Sequence, residues 1–409
     1  MAEALEGWGE ADPEWLALHW EGAGEEARAG AHYARAADQA AEALAFDHAA
    51  ELYRRALRLV RREEGLVAGR QELQTRLADA LANGGRGEEA AREYLQAAET
   101  ASGLQAVELR RRAATQLLNS GHVDEGLTLF RAVLKSMGLT MPATRKGALI
   151  GLLLRRLQLR LRGLRFRERD ASGSPAESLT RIDVCWSAFT GMSLIEPMWS
   201  AYYQIRGLLL SLRAGEPYRI ARALTSEAAH VSTVGGRSHD RATFLLRTAE
   251  EIARRINHPH VRGMLLLARG MAHYLEGCWR AALTEFDNAD KIFRQHCTGV
   301  SWEIDTAHTW ALWSMTYMGW FRELARRWPA LLSDARDHGD LYAVTILGTY
   351  IMAVVRLSQD ASEEAQVQLR QVMERWSKQG FHVQHHNAVL AQVLIHLYQG
   401  NGVAAFQQI

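Results

Sequence analysis

LADALANGGRGEEAAREYLQAA, residues 77–98, decides the fold. Leu77 and Ala78 lie on one turn of a helical segment that breaks at Asn83, Gly84, Gly85, Arg86 and Gly87. Ala90, Tyr94 and Ala97 then follow at offsets of four and three, which puts them on one face of a second helix. An aromatic knob between small residues lets a neighbouring helix approach closely. The glycines accept the positive φ needed where one antiparallel helix gives way to the next.

The same unit is spelled elsewhere. Ala36 and Ala37 precede Ala49, Tyr53 and Ala56; Ala113 and Ala114 precede Gly126, Phe130 and Val133; Arg269 and Gly270 precede Ala282, Phe286 and Ala289. Ala365, Leu369 and Val372 form a later trio. The early units recur at roughly 35 to 40 residues, the period of tetratricopeptide repeats. The expected fold is therefore all-α, a tetratricopeptide-like α-solenoid of stacked antiparallel helix pairs.

Composition agrees with that expectation. Of 409 residues, 48% are apolar and 23% charged, with only seven prolines, which favours helix and argues against wholesale disorder. The net charge of +1 gives no global argument for nucleic acid. Cys185, Cys278 and Cys297 are odd in number and widely spaced, and read as reduced thiols. The acidic start lacks a basic, then apolar, leader, and no run approaches the roughly 18 apolar residues of a membrane span. Cytoplasmic residence is the expectation.

Three regions are expected: N-terminal repeats over 1–140, a basic amphipathic helix and linker over 141–177, and C-terminal helical repeats over 178–409 with the last unit truncated. That truncation suggests a piece of a larger protein. The middle region carries Arg145, Lys146, Arg155, Arg156, Arg160, Arg162, Arg165, Arg167 and Arg169 among Leu149, Ile150, Leu153, Leu154, Leu157, Leu161 and Leu164. A helix over 145–169 collects most arginines on one face and the leucines on the other. On one reading it docks its leucines on the solenoid and solvates its arginines. On the other, Arg155, Arg156, Arg160, Arg162, Arg165 and Arg167 form a basic surface for an anionic membrane, nucleic acid or an acidic partner.

Motifs for chemistry are sparse. GxxxxGK[ST], the kinase set, GxSxG and HExxH are all missing. His382, His385 and His386 cluster without acidic or cysteine ligands at suitable spacing, and read as a turn and helix start. Trp302, Trp310, Trp313, Trp320 and Trp328 fit core packing. No catalytic, cofactor or metal site is expected, and no cofactor.

What remains is surface. The first helix of each pair should line a groove approached by Asp38, Glu42, Glu72, Asp79, Asn83, Arg111, Thr115 and Asn119, polar and mostly acidic, suited to an extended or helical protein segment.

The opening, with His32, Tyr33, Ala36, Ala37, Ala40, Ala43 and Ala45 leading into the first trio, looks like the start of the helical-repeat region of large bacterial signalling ATPases. LRFRERD (164–170), RIDVCWS (181–187), LRAGEPYRIARAL (212–224), CTGVSWEIDTA (297–307) and HGDLYA (338–343) resemble the C-terminal region of bacterial multidomain serine/threonine protein kinases, which place a kinase domain first, an AAA-type ATPase next and tetratricopeptide repeats last. The resemblance implies a non-catalytic scaffold or sensor region of a signalling protein. Its partners would be proteins, among them a kinase or ATPase module in cis or in trans. Membrane or nucleic acid is the less expected partner, reached only through the 145–169 helix.

Overall fold

A computed structural model describes residues 12–59, 67–193, 195–235 and 238–408. Among these residues all regular structure is helical. The sequence also places the end of the first hairpin at Val60 to Arg62 and a turn at Gly235 and Gly236, and of these Val60 to Arg62 and Gly236 lie outside the described residues.

The chain divides into two compact units, 1–117 and 118–409. In the first, α1 (Pro13–Gly22) leads into α2 (Glu26–Glu42) and α3 (Phe46–Leu59), then α4 (Val67–Asn83) and α5 (Gly87–Thr100), and the start of α6 (Gly103–Asn119). From α1 to α5 each helix packs on the next, as an antiparallel stack requires. Ala49, Tyr53 and Ala56 are buried, as are Ala90, Tyr94 and Ala97, and so are Ala36, Ala37, Leu77 and Ala78 on the first helices.

The second unit continues with α7 (Val123–Ser136), α8 (Arg145–Arg162), and the pairs α9 (Ala176–Met192) with α10 (Pro197–Ala214), α11 (Pro217–Ser232) with α12 (His239–Ile256), α13 (Pro259–Leu275) with α14 (Trp279–His296) and α15 (Ser301–Tyr317) with α16 (Phe321–Asp337). Next come α17 (Leu341–Ile346), a π-helical turn (Leu347–Ile351), α18 (Met352–Leu357), α19 (Ser362–Arg375), α20 (Val383–Tyr398) and α21 (Gly402–Gln407). Pairing is as close through 179–257, where the sequence spells no trio, as at 261–296, where it spells Ala282, Phe286 and Ala289.

Glycine replaces alanine in this unit where a large side chain fills the space. A Cβ at Gly126 would meet the Leu118 side chain at 2.8 Å, and one at Gly270 would meet the Phe286 ring at 2.5 Å. The π-helical turn widens the backbone and leaves the Leu347 carbonyl to accept from the Trp328 indole at 2.8 Å. Of the tryptophans expected in core packing, Trp328 is buried and Trp310 meets Tyr274 and Trp313 edge to face, whereas Trp320 is exposed.

Within the second unit the beginning returns to the end. The Leu341 amide donates to the Ser120 carbonyl at 3.1 Å, and the Ser377 hydroxyl lies 3.1 Å from the Asp124 carboxylate. Gly121, at φ 87°, lies so close that a Cβ would stand 2.8 Å from the Tyr342 nitrogen. Only glycine suits both demands.

The basic helix differs from expectation in length and orientation. It ends at Arg162, because Gly163 adopts φ 71° while its amide closes the last turn on Leu159. Arg165, Arg167 and Arg169 therefore lie beyond the helix, in a segment held by the Arg169 amide donating to the Gly215 carbonyl at 3.0 Å.

Candidate functional site

Two polar arrangements tie first helices to one another, and a third surface is formed by α8. In the first unit, the Tyr53 hydroxyl on α3 donates to Asp38 on α2 at 2.6 Å, and Arg76 on α4 grips both oxygens of Asp38 at 2.9 and 3.0 Å. One repeat later, Tyr94 on α5 donates to Asp79 on α4, and Arg112 on α6 reaches Asp79 at 2.9 Å. Each of these two trios thus contributes its tyrosine ring to the core and its hydroxyl to a bridge joining consecutive first helices. Burial and the neighbouring carboxylate both hold the Tyr53 and Tyr94 hydroxyls protonated. On the second-helix side, Arg54 on α3 meets Glu89 on α5 at 2.5 Å. The spacing of these repeats is therefore clamped on both sides.

Most of the predicted groove residues are tied to neighbouring groups of the first unit. Asp38 and Asp79 are bridged as above; Glu72 pairs with Arg76 at 3.0 Å and Arg111 with Glu108 at 2.6 Å; the Thr115 hydroxyl donates to the Arg111 carbonyl. Glu42 and Glu72 are exposed, while Asn83, Thr115 and Asn119 are half-buried. The arginines cancel much of the expected acidity. Sequence offsets alone did not disclose this, although the 38 residues between Asp38 and Arg76 match one repeat.

In the second unit a network crosses four successive first helices. Asp183 on α9 accepts from Arg219 at 2.5 Å and Arg222 at 2.7 Å, both on α11. The Arg222 guanidinium stacks 4.5 Å from the Trp186 ring and 5.2 Å from that of Tyr218. The Tyr218 hydroxyl contacts His260 Nδ1 on α13 at 3.2 Å, and His260 Nε2 contacts Glu303 on α15 at 3.0 Å. Arg222, His260 and Glu303 are buried, so this network fixes helix spacing. Burial pushes the Cys185 thiol up to about 12 and Cys297 to about 11, the reverse of an activated nucleophile. The signal was present in part: Asp183, Trp186, Arg219, Arg222 and Glu303 all fall within the strings quoted above for their resemblance.

His382 and His385 form a helix start. His385 Nδ1 accepts from the His382 amide, and His382 Nδ1 accepts from the Trp376 indole, each at 3.1 Å. Among the described residues no group of three or more His, Cys, Asp or Glu side chains is gathered as a metal ion would need.

The α8 surface reverses the docking expected from its sequence. Three of its arginines face inward: Arg155 donates to the Tyr202 hydroxyl at 3.2 Å, Arg156 to the fully buried Glu227 at 2.9 Å, and Arg162 to the Leu212 carbonyl at 3.0 Å. Ala148, Leu152 and Leu159 are the apolar residues of this inner face, and Gly151 admits the Tyr202 ring, which a Cβ would meet at 2.7 Å. Arginine stems pack well on apolar surface when the head finds an acceptor, and Glu227 and the helix-end carbonyl of Leu212 supply them. Leu149, Ile150, Leu153, Leu154, Leu157 and Leu161 all face outward, 42% exposed at Leu149 and 82% at Leu161. Arg160, Arg165 and Arg167 are exposed as well. Among the described residues no helix is long and apolar enough to cross a membrane.

No protein-family model and no curated protein matches the sequence. Among solved structures the chain is similar to a Rap protein complexed with competence and sporulation factor, with a TM-score of 0.47 and 12% identity over 93% of this chain and 99% of that one.

Proposed function

We propose that the chain is a protein-interaction scaffold, non-catalytic by itself, whose first-helix face along α2, α4 and α6 receives an extended or helical segment of a partner. The observation that carries this reading is the Asp–Tyr–Arg bridge, built twice in succession at Asp38–Tyr53–Arg76 and Asp79–Tyr94–Arg112. Clamping each spacing fixes the face before a partner arrives, which lowers the ordering cost of binding. Asp38, Glu42, Glu72, Asp79, Asn83, Arg111, Thr115 and Asn119 are its candidate contacts. The resemblance of the quoted strings to the repeat region of bacterial serine/threonine kinases supports a kinase or ATPase module as the partner, in cis or in trans, in the cytoplasm.

Affinity capture from the native lysate tests this reading, comparing the wild type with a Glu42→Arg, Glu72→Arg variant of unchanged helical circular dichroism. Both positions are exposed, so the variant should fold. A protein retained by the wild type and lost by the variant is expected, with a kinase or ATPase domain among the retained chains. Equal recovery by both chains would contradict the assignment to this face.

A further inference from the structure

We infer that α8 is a docking ridge for an anionic lipid surface, on which the protein lies without spanning the bilayer. The ridge belongs to the second unit and does not depend on the partner-binding face proposed for α2, α4 and α6.

Six aliphatic side chains, Leu149, Ile150, Leu153, Leu154, Leu157 and Leu161, stand on one face of a single helix and point away from the protein. They form two rows at four-residue spacing over about 18 Å of helix. The opposite face is committed, since Arg155, Arg156 and Arg162 are bonded to Tyr202, Glu227 and Leu212. The helix cannot roll its leucines inward without stripping Glu227 of its cation.

Charge selects the occupant. No Asp or Glu occurs anywhere in α8. By helical register Lys146 and Arg160 fall within the arc of the apolar rows, one at each end, and both are exposed. Arg165 and Arg167 extend the cationic end beyond the helix. A second copy of the same face would oppose like charges at both ends. A lipid surface with anionic headgroups meets both features at once, with acyl chains for the leucines and phosphates for the cations. The composition of the ridge also favours lipid over protein. Interface anchors are rich in Trp, Tyr and Arg and poor in Leu, whereas the outward rows contain only Leu and Ile. A ridge, unlike a groove, places no demand of shape on a fluid partner.

Sedimentation with vesicles of equimolar phosphatidylglycerol and phosphatidylcholine, alongside pure phosphatidylcholine, tests the proposal. The expected result is binding to the anionic vesicles that weakens with salt and exceeds binding to neutral ones. A Leu153→Gln, Leu154→Gln, Leu157→Gln variant should bind roughly tenfold or more weakly. Lys146→Glu with Arg160→Glu should remove the preference for anionic lipid. The replaced side chains are all exposed, so circular dichroism and thermal unfolding should be unchanged. Equal binding to both vesicle types, full binding by the leucine variant, or no wild-type binding would each overturn it. So would a wild-type dimer in light scattering that the leucine variant abolishes, which would give the ridge to a second copy. A protein partner lost with the leucines while vesicles are ignored would give the ridge to that partner and would equally overturn the proposal.

Discussion

Arg156 and Glu227 show how single side chains set the orientation of a whole helix. Glu227 is fully buried on α11, and Arg156 reaches it from α8 at 2.9 Å with a quarter of its own side chain exposed. Removing one member of such a pair leaves a desolvated charge, which costs more than the pair contributes. Arg156→Ala should therefore lower stability by about 3 kcal/mol in urea unfolding. Arg156→Met combined with Glu227→Leu should recover most of that loss. If the single and double variants are equally destabilised, the ion pair does not set the docking of α8. Nothing near Arg156 in the sequence announces Glu227, because the two lie 71 residues apart.

At the scale of elements, the junction between α15 and α17 carries a charge penalty that can be measured. Asp305 and Asp340 face each other, and Asp340 also caps α17 by accepting from the Ala343 amide at 2.8 Å. Desolvation raises both carboxyls, with the other carboxylate adding to the rise at Asp305, and Asp340 is pushed up to about 6. A carboxyl raised in the folded state contributes stability below its unfolded value, here the usual 3.8, and that contribution is lost as pH rises through the folded value. Asp305→Asn removes the repulsion. Its gain in unfolding temperature over the wild type should be smallest below the usual carboxylate value of 3.8 and should grow as pH rises above it toward the raised folded value of Asp305. A gain independent of pH would show that the fold does not hold the Asp305 carboxyl protonated.

The helices themselves were largely legible. The trios fall on helices as expected, Ala49, Tyr53 and Ala56 on Phe46–Leu59 and Ala90, Tyr94 and Ala97 on Gly87–Thr100. Helix α8 was legible as an amphipathic helix but not as an inverted one. Its inner face holds Ala148, Leu152 and Leu159, enough apolar surface to dock, while the long arginine stems beside them read as solvated. Gly151 was the readable sign, a mid-helix glycine on the arginine side that makes room for Tyr202.

For the molecule as a whole, the repeat offsets carried the fold because they record which residues must be small and which large along a stack. They could not report the polar bridges between repeats, since Asp38, Asp79 and their arginines resemble ordinary surface residues until neighbouring repeats are superposed. The longer strings singled out in the sequence turn out to hold contacts between helices: Asp183 with Arg219 and Arg222, Glu303 with His260, Leu341 with Ser120. Regular trios therefore build the stack, and irregular polar contacts fix its spacing.

The most direct test of a partner-binding first-helix face is site-specific photo-crosslinking in native cells. Benzoylphenylalanine would be placed at Glu42 or Glu72 on that face, and at Glu51 or Arg92 on the exposed surface of the second helices. One common protein adduct is expected from the first pair of positions and none from the second. Adducts confined to Glu51 and Arg92 would contradict a partner-binding role for the first-helix face.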